Sequence, residues 1–273
     1  MSDKTQLKDV VRSHFTTDEA VQLWEKLYRD SENFFAYCMS ARKAAVLELL
    51  GRLDPAAGPL LADIGCGSGL VSKDLLAMGY DVTGMDISEG MLENARKIPG
   101  LKLQVGDIEN LPFANGAFDK VICLGVISYV PNEAKALAEL HRVLKPGGLL
   151  LIAVRNKLEI SVILDPIERL VSLCTKLSRR VSSSKQTATA GPYYHRNFIP
   201  WTLKKNLRQA GFTIGECLGR GYDYPVVNGR RITSVQAGIR FSRRIEKLSA
   251  RAPFGFLRNW GMVYIVVASK PAQ

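Results

Sequence analysis

Histidine and cysteine are scarce in this chain, with three of the first and five of the second among 273 residues. Cys38, Cys66, Cys123, Cys174 and Cys217 stand singly. No C-x-x-C pair offers a zinc or dithiol site, so no metal is expected and the thiols read as reduced and mostly buried. No run of about 18 apolar residues is present, which argues against a membrane-spanning helix. The opening MSDKTQLKDVVRSHF has no apolar core of a secretory signal, so a cytoplasmic chain is expected. No internal repeat is visible. Acidic residues are sparse in one half only. Residues 151–273 hold 6 Asp+Glu against 21 Lys+Arg, a net of +15, whereas residues 1–150 hold 20 against 16, a net of −4. The whole excess of +11 therefore lies in the second half. Such asymmetry points to an anionic partner, whether lipid headgroup, nucleic acid or acidic substrate, or to a solvated basic face.

What is present is an alternation of short apolar runs and helical patterns. Segments 60–64, 81–85, 101–105, 120–124 and 149–154 read as strands. Segments 70–78, 89–97 and 133–144 read as helices between them, and residues 5–50 as helices ahead of them. This is the pattern of a parallel sheet with helices on both faces, whose ligands bind at the carboxyl ends of the strands. After it come an insertion over 155–200, a helix over 201–210 with Gly211 as its cap, a strand over 212–218, a second basic insertion over 219–259 and a final strand over 262–268.

The first strand runs into Asp63-Ile64-Gly65-Cys66-Gly67-Ser68-Gly69. Glycines allow close backbone approach and positive φ, so a Cβ at Gly65 or Gly67 is expected to intrude on a ligand. The following helix aims its N-terminal amides at the same place. The spacing G-x-G-x-G is one residue short of the dinucleotide fingerprint, and the Lys-Ser/Thr of a phosphate loop is missing. Asp63 suits an ammonium or hydroxyl better than a pyrophosphate. Asp86, 21 residues beyond Gly65, stands where a carboxylate can accept both ribose hydroxyls; the alternative is that it caps the next helix, but Ser88 already suits that position.

In combination these segments resemble motifs of the class I S-adenosylmethionine (SAM)-dependent methyltransferases, within them the small-molecule group similar to the ubiquinone and menaquinone methyltransferases. Gly106-Asp107-Ile108 resembles the third motif and Phe118 to Val126 the fourth. Glu139 to Leu150, with its Pro-Gly-Gly turn, resembles a frequent structural segment of that group. The resemblance covers residues 40–155. It implies a Rossmann-like α/β fold with a seven-stranded sheet whose last strand is antiparallel, a helical N-terminal arm (1–55) over a core (56–155), and substrate-selecting insertions at 156–200 and 219–259. It implies SAM as cofactor, bound by Asp63, Gly65, Cys66, Gly67, Asp86, Ile87, Met91, Asp107, Ile108 and Leu124. Asp107 would accept from the adenine amino group, with Ile87, Met91 and Ile108 on the ring. Asp119, which opens a strand, reads as structural.

An oxygen acceptor needs a general base, whereas carbon or nitrogen acceptors can do without one. His195, before the helix at 201–210, is one candidate base or substrate contact, and Tyr129 another. His14 sits in the N-terminal arm, which can lid the site. His141 reads as structural. Within the first insertion Ile163, Ile167, Leu170, Cys174, Leu177 and Val181 form one helical face flanked by Arg169, Lys176, Arg179 and Arg180. Such a helix either roofs the site or lies on an anionic membrane surface. The leading expectation is a small-molecule methyltransferase with a lipidic, quinone-like aromatic or glycosidic acceptor. RNA methylation and non-catalytic SAM binding are the alternatives. No Asn/Asp-Pro-Pro-Tyr/Phe motif follows the fourth strand, which weighs against the first of these.

Overall fold

The computed structural model describes residues 3–29, 33–53, 58–160, 196–223, 226–227, 230–231 and 233–272. Three helices lead the chain: α1 (Asp3–His14), α2 (Asp18–Arg29) and α3 (Phe34–Gly51). The start of α3 is fixed by Asn33, whose side chain accepts the Ala36 amide at 2.8 Å. The alternating core follows: β1 (Leu60–Ile64), α4 (Leu70–Ala77), β2 (Asp81–Asp86), α5 (Glu89–Ala95), β3 (Lys102–Val105), β4 (Phe118–Leu124), a 3-10 turn (Val126–Tyr129), α6 (Glu133–Val143) and β5 (Leu144–Arg155). The remainder is α7 (Pro200–Gln209), β6 (Thr213–Arg220), the short pair β7 (Val226–Val227) and β8 (Arg230–Arg231), α8 (Val235–Ser249), a second 3-10 turn (Phe254–Trp260) and β9 (Val263–Ser269).

Seven strands form one sheet in the order β3-β2-β1-β4-β5-β9-β6. Those from β3 to β5 are parallel, and β9 runs antiparallel to both its neighbours. The expected seven strands and the antiparallel last strand are both there. Strand β5 starts at Leu144, earlier than the apolar run suggests, because Leu144 pairs with Phe118 before the register shifts and resumes at Lys120. Strand residues alternate between two cores. Val121, Cys123, Leu150 and Ile152 pack with Leu137, Leu140, Leu203 and Leu207 of α6 and α7. Ile122, Leu151 and Ala153 pack with Val46, Leu49 and Leu50 of α3 and, at the margin, Ile239 of α8. Asp119 is structural as expected: one oxygen accepts the Leu60 amide at 3.1 Å and the other Lys145 Nζ at 2.8 Å. His141 stacks edge-on against Phe212 at 5.0 Å and has its edge against Gly211. The amphipathic run at 163–181 and His195 lie outside the described residues.

Candidate active site

The carboxyl ends of β1, β2, β3, β4 and β5 open into one cavity of about 650 Å³. All ten residues expected to hold the cofactor line it, and so do Tyr129 and His14. The sheet order causes this. Strand order reverses between β1 and β4, with β2 following on one side and β5 on the other, so the loops after these two parallel strands diverge and leave a crevice.

The glycine loop turns through three positive φ angles, 77° at Gly65, 54° at Gly67 and 77° at Gly69. At Gly65 the reason differs from the sequence expectation. A Cβ at Gly65 would lie 1.9 Å from Val126 Cγ2, so that glycine makes room for a neighbouring side chain and not for a ligand. At Gly67 the nearest atom to such a Cβ is Met91 Sδ at 3.9 Å, so only there is the space open. Helix α4 then starts with no side-chain cap, and its first amides are free to meet an anion.

Asp63 is buried, and Ser72 donates to its Oδ2 at 2.6 Å. Burial pushes this carboxyl up to about 7, Asp86 adds to the effect, and Ser72 and Arg42 oppose it. Asp86 accepts the Gly67 amide at 2.9 Å on one oxygen and the Ser88 amide at 2.9 Å on the other. It therefore organises the glycine loop and helps start α5, where the Ser88 hydroxyl also caps the Met91 amide. Burial raises the Asp86 carboxyl as well. Cys66 faces the cavity, but burial together with Asp63 and Asp86 lifts its thiol well above the ordinary range, so it is no nucleophile at neutral pH.

Two of the cavity residues that the sequence reading did not name carry charge into the site. Arg42 of α3 is buried; its guanidinium donates to the Tyr28 hydroxyl, and its Nε has no partner among the described residues. It occupies the space left by Gly125, where a Cβ would stand 2.8 Å from Nη1. A signal was available, since Arg42 falls in the buried stripe Cys38, Ala45, Val46, Leu49 of α3, where a lone cation is out of place. The second is Lys8 of α1. Its ammonium lies 2.6 Å from Asp107 Oδ2 and 2.7 Å from Glu109 Oε2, while the other Asp107 oxygen accepts the Glu109 amide at 2.9 Å. Helix α1 thereby covers the cavity.

Phe15, Leu23, Trp24, Leu27, Tyr28, Phe35, Met39, Tyr129, Met262 and Val263 give the rest of the wall an apolar, aromatic character. Phe15 sits edge-on to Tyr129 at 5.5 Å and near Trp24 at 5.8 Å. Burial holds the His14 imidazole below its usual value, so it is neutral at pH 7 and able to take a proton. Ser128 Oγ is buried on this wall without a partner among the described residues. A buried carboxylate, a half-satisfied guanidinium and open space over Gly67 together fit a zwitterionic, nucleoside-sized molecule, and the aromatic wall fits a second, flatter one.

A family model described as a methyltransferase domain matches residues 62–152. A ubiquinone biosynthesis O-methyltransferase of Dechloromonas aromatica is 34% identical over 110 residues, which is 37% of this chain and 46% of that protein. The match thus spans about half of that relative's length. A demethylmenaquinone methyltransferase of Clavibacter sepedonicus is 34% identical over 176 residues, 59% of this chain and 69% of that one. Among solved structures, magnesium protoporphyrin IX methyltransferase of Synechocystis, with S-adenosylhomocysteine bound, superposes with a TM-score of 0.59 at 19% identity, covering 96% of this chain and 99% of that one. That likeness concerns the fold.

Proposed function

The chain belongs to the class I SAM-dependent methyltransferase superfamily, and we propose that it methylates a flat, largely apolar small molecule of the phenol or quinol kind. The observation that carries this reading is the single cavity in which three strand-end carboxylates share space with the aromatic wall from α1, α2 and α3. The names of the two relatives, a ubiquinone biosynthesis O-methyltransferase and a demethylmenaquinone methyltransferase, support the same acceptor class.

Roles follow from the chemistry of each group. Asp63, ionised once a cation arrives, holds the amino acid ammonium of the cofactor, and Arg42 with its spare Nε–H takes the carboxylate. Asp86 accepts the ribose hydroxyls. Asp107 would accept from the adenine amino group through a remaining lone pair while it keeps its Lys8 contact. Ile87, Met91 and Ile108 flank the ring, Gly65, Cys66 and Gly67 supply the close backbone, and Leu124 borders the sulfur. When bound, SAM supplies a methyl group already activated on a sulfonium. The chain's own work is therefore to orient the acceptor in line with the methyl group and to keep water out. Phe15, Trp24 and Tyr129 clamp the acceptor plane. His14 would receive the acceptor's hydroxyl proton. His195 stays a candidate for that role.

The basic insertion at 156–200 suits a membrane-dissolved acceptor through peripheral contact; no described helix is long and apolar enough to cross a bilayer. The test is incubation with methyl-labelled SAM and a panel of catechols, hydroquinones and naphthoquinols. Label in a phenolic ether or ring methyl group supports the reading. Label only in RNA, or in no small molecule, overturns it.

A further inference from the structure

We propose that helix α8 and the 3-10 turn after it form a docking surface for an anionic lipid bilayer. Segment 233–260 carries six basic residues and one acid, Glu246. The acid is turned inward: it accepts from Ser242 Oγ at 2.9 Å, from the Gly221 amide at 3.1 Å and from Tyr37 Oη at 3.3 Å. The cations are turned outward. Arg240, Arg243, Arg244, Lys247 and Arg251 are all exposed, and none forms an ion pair among the described residues. Glu246 thus fastens the helix to the fold while the outer face keeps its full positive charge.

The apolar part of the surface follows at once. Phe254 and Phe256 are 39% and 54% exposed, large for phenylalanine in water. A Cβ added at Gly255 between them would point into open space, and Phe256 rests edge-on against Trp260 at 6.2 Å. The turn is fixed to the helix end by Arg258 Nε donating to the Ser249 carbonyl at 3.0 Å and by the Phe254 amide donating to the Arg251 carbonyl at 2.9 Å. A row of free cations beside two solvent-facing rings on a rigid turn matches headgroup phosphates over an acyl boundary. Nucleic-acid phosphates would satisfy the cations but would use the two exposed rings only by base stacking, whereas acyl chains would bury them.

The surface also adjoins the cavity. From Trp260 the chain passes through Gly261 to Met262 and Val263, which line the cavity. Asn156 clamps this passage by donating to the Asn259 and Gly261 carbonyls at 2.7 and 2.9 Å. Docking here would bring the cavity wall to the bilayer, where an apolar acceptor resides.

The test is co-sedimentation of the full chain with vesicles of phosphatidylcholine alone or mixed with phosphatidylglycerol. The variants are Phe254→Ser/Phe256→Ser and Arg243→Glu/Arg244→Glu. Trp201→Ser serves as control, since Trp201 is 59% exposed on α7 over the opposite face of the sheet. Binding is expected to the mixed vesicles, to weaken in 0.5 M salt, and to drop by about tenfold or more in each double variant but not in the control. Unchanged melting and SAM binding verify that the variants are folded, so a failure here is separate from a failure of the methyltransferase reading. Absence of vesicle binding overturns the proposal. So does binding that survives both double variants, or RNA binding at matched salt that outcompetes vesicles and is lost in the same variants.

Discussion

Lys8 Nζ on the first helix lies 2.6 Å from Asp107 Oδ2 just beyond β3, across 99 residues of sequence. This pair and the Glu109 contact tie the α1 cover to the floor of the cavity. Both partners are partly screened, so the tie contributes on the order of 1 kcal/mol. Lys8→Met is therefore expected to speed release of bound S-adenosylhomocysteine by roughly fivefold with little change in melting temperature. Stopped-flow displacement checks it, and an unchanged release rate would show that the cover does not gate the site.

Arg42 is expected to read the carboxylate of the cofactor. Wild type should bind S-adenosylhomocysteine more tightly than 5′-methylthioadenosine, which lacks the amino acid end. Arg42→Met should lose about 10- to 100-fold for the former and little for the latter, the span of a hydrogen bond to a charged group. Equal losses for both ligands would mean that Arg42 only supports the wall. Gly125→Ala should destabilise the chain by about 1–2 kcal/mol, since φ there is 93° and the new methyl meets Arg42.

Asp63 makes affinity depend on pH. Its carboxyl is pushed up to about 7 in the empty cavity, and an ammonium ligand requires the ionised form. Affinity should rise between pH 6 and pH 8, with uptake of ligand near pH 6 releasing close to one proton. Calorimetry in buffers of different ionisation heat measures that proton. The sign for stability is opposite. The folded chain keeps Asp63 protonated over a range where the unfolded chain ionises it, so the ligand-free protein loses stability as pH rises from about 4 through 7. Asp63→Asn should remove both effects.

His14 is expected to act as base for an oxygen acceptor. His14→Gln should lower kcat by about 10²- to 10⁴-fold and remove the acid limb of the pH–rate profile. That limb lies below the ordinary histidine value, because burial lowers the imidazole. An intact limb in the variant would transfer the role to another group, with His195 next to be tested.

The parts legible in the sequence were those written in short-range pattern. Strand period, the glycine loop and carboxylates at the ends of β1, β2 and β3 all depend on neighbours within a few residues, and Asp63, Asp86 and Asp107 do line one cavity. Lys8 was not legible as a site residue, and Arg42 was legible only as a cation out of place in the α3 stripe, because each reaches the cavity from a helix whose placement depends on tertiary packing. The reason for Gly65 was misread for the same cause, since Val126 is brought against it only when β4 pairs with β1. The start of β5 at Leu144 was hidden by the Pro-Gly-Gly turn, which local propensity reads as a break.

The central claim is that the cavity over Gly67, bounded by Asp63 and Asp86, is a SAM site. Isothermal titration of the purified chain with S-adenosylhomocysteine tests it most directly. One site per chain is expected, with affinity reduced by about 10- to 100-fold in Asp86→Ala. No binding, or binding that Asp86→Ala leaves unchanged, would contradict the account.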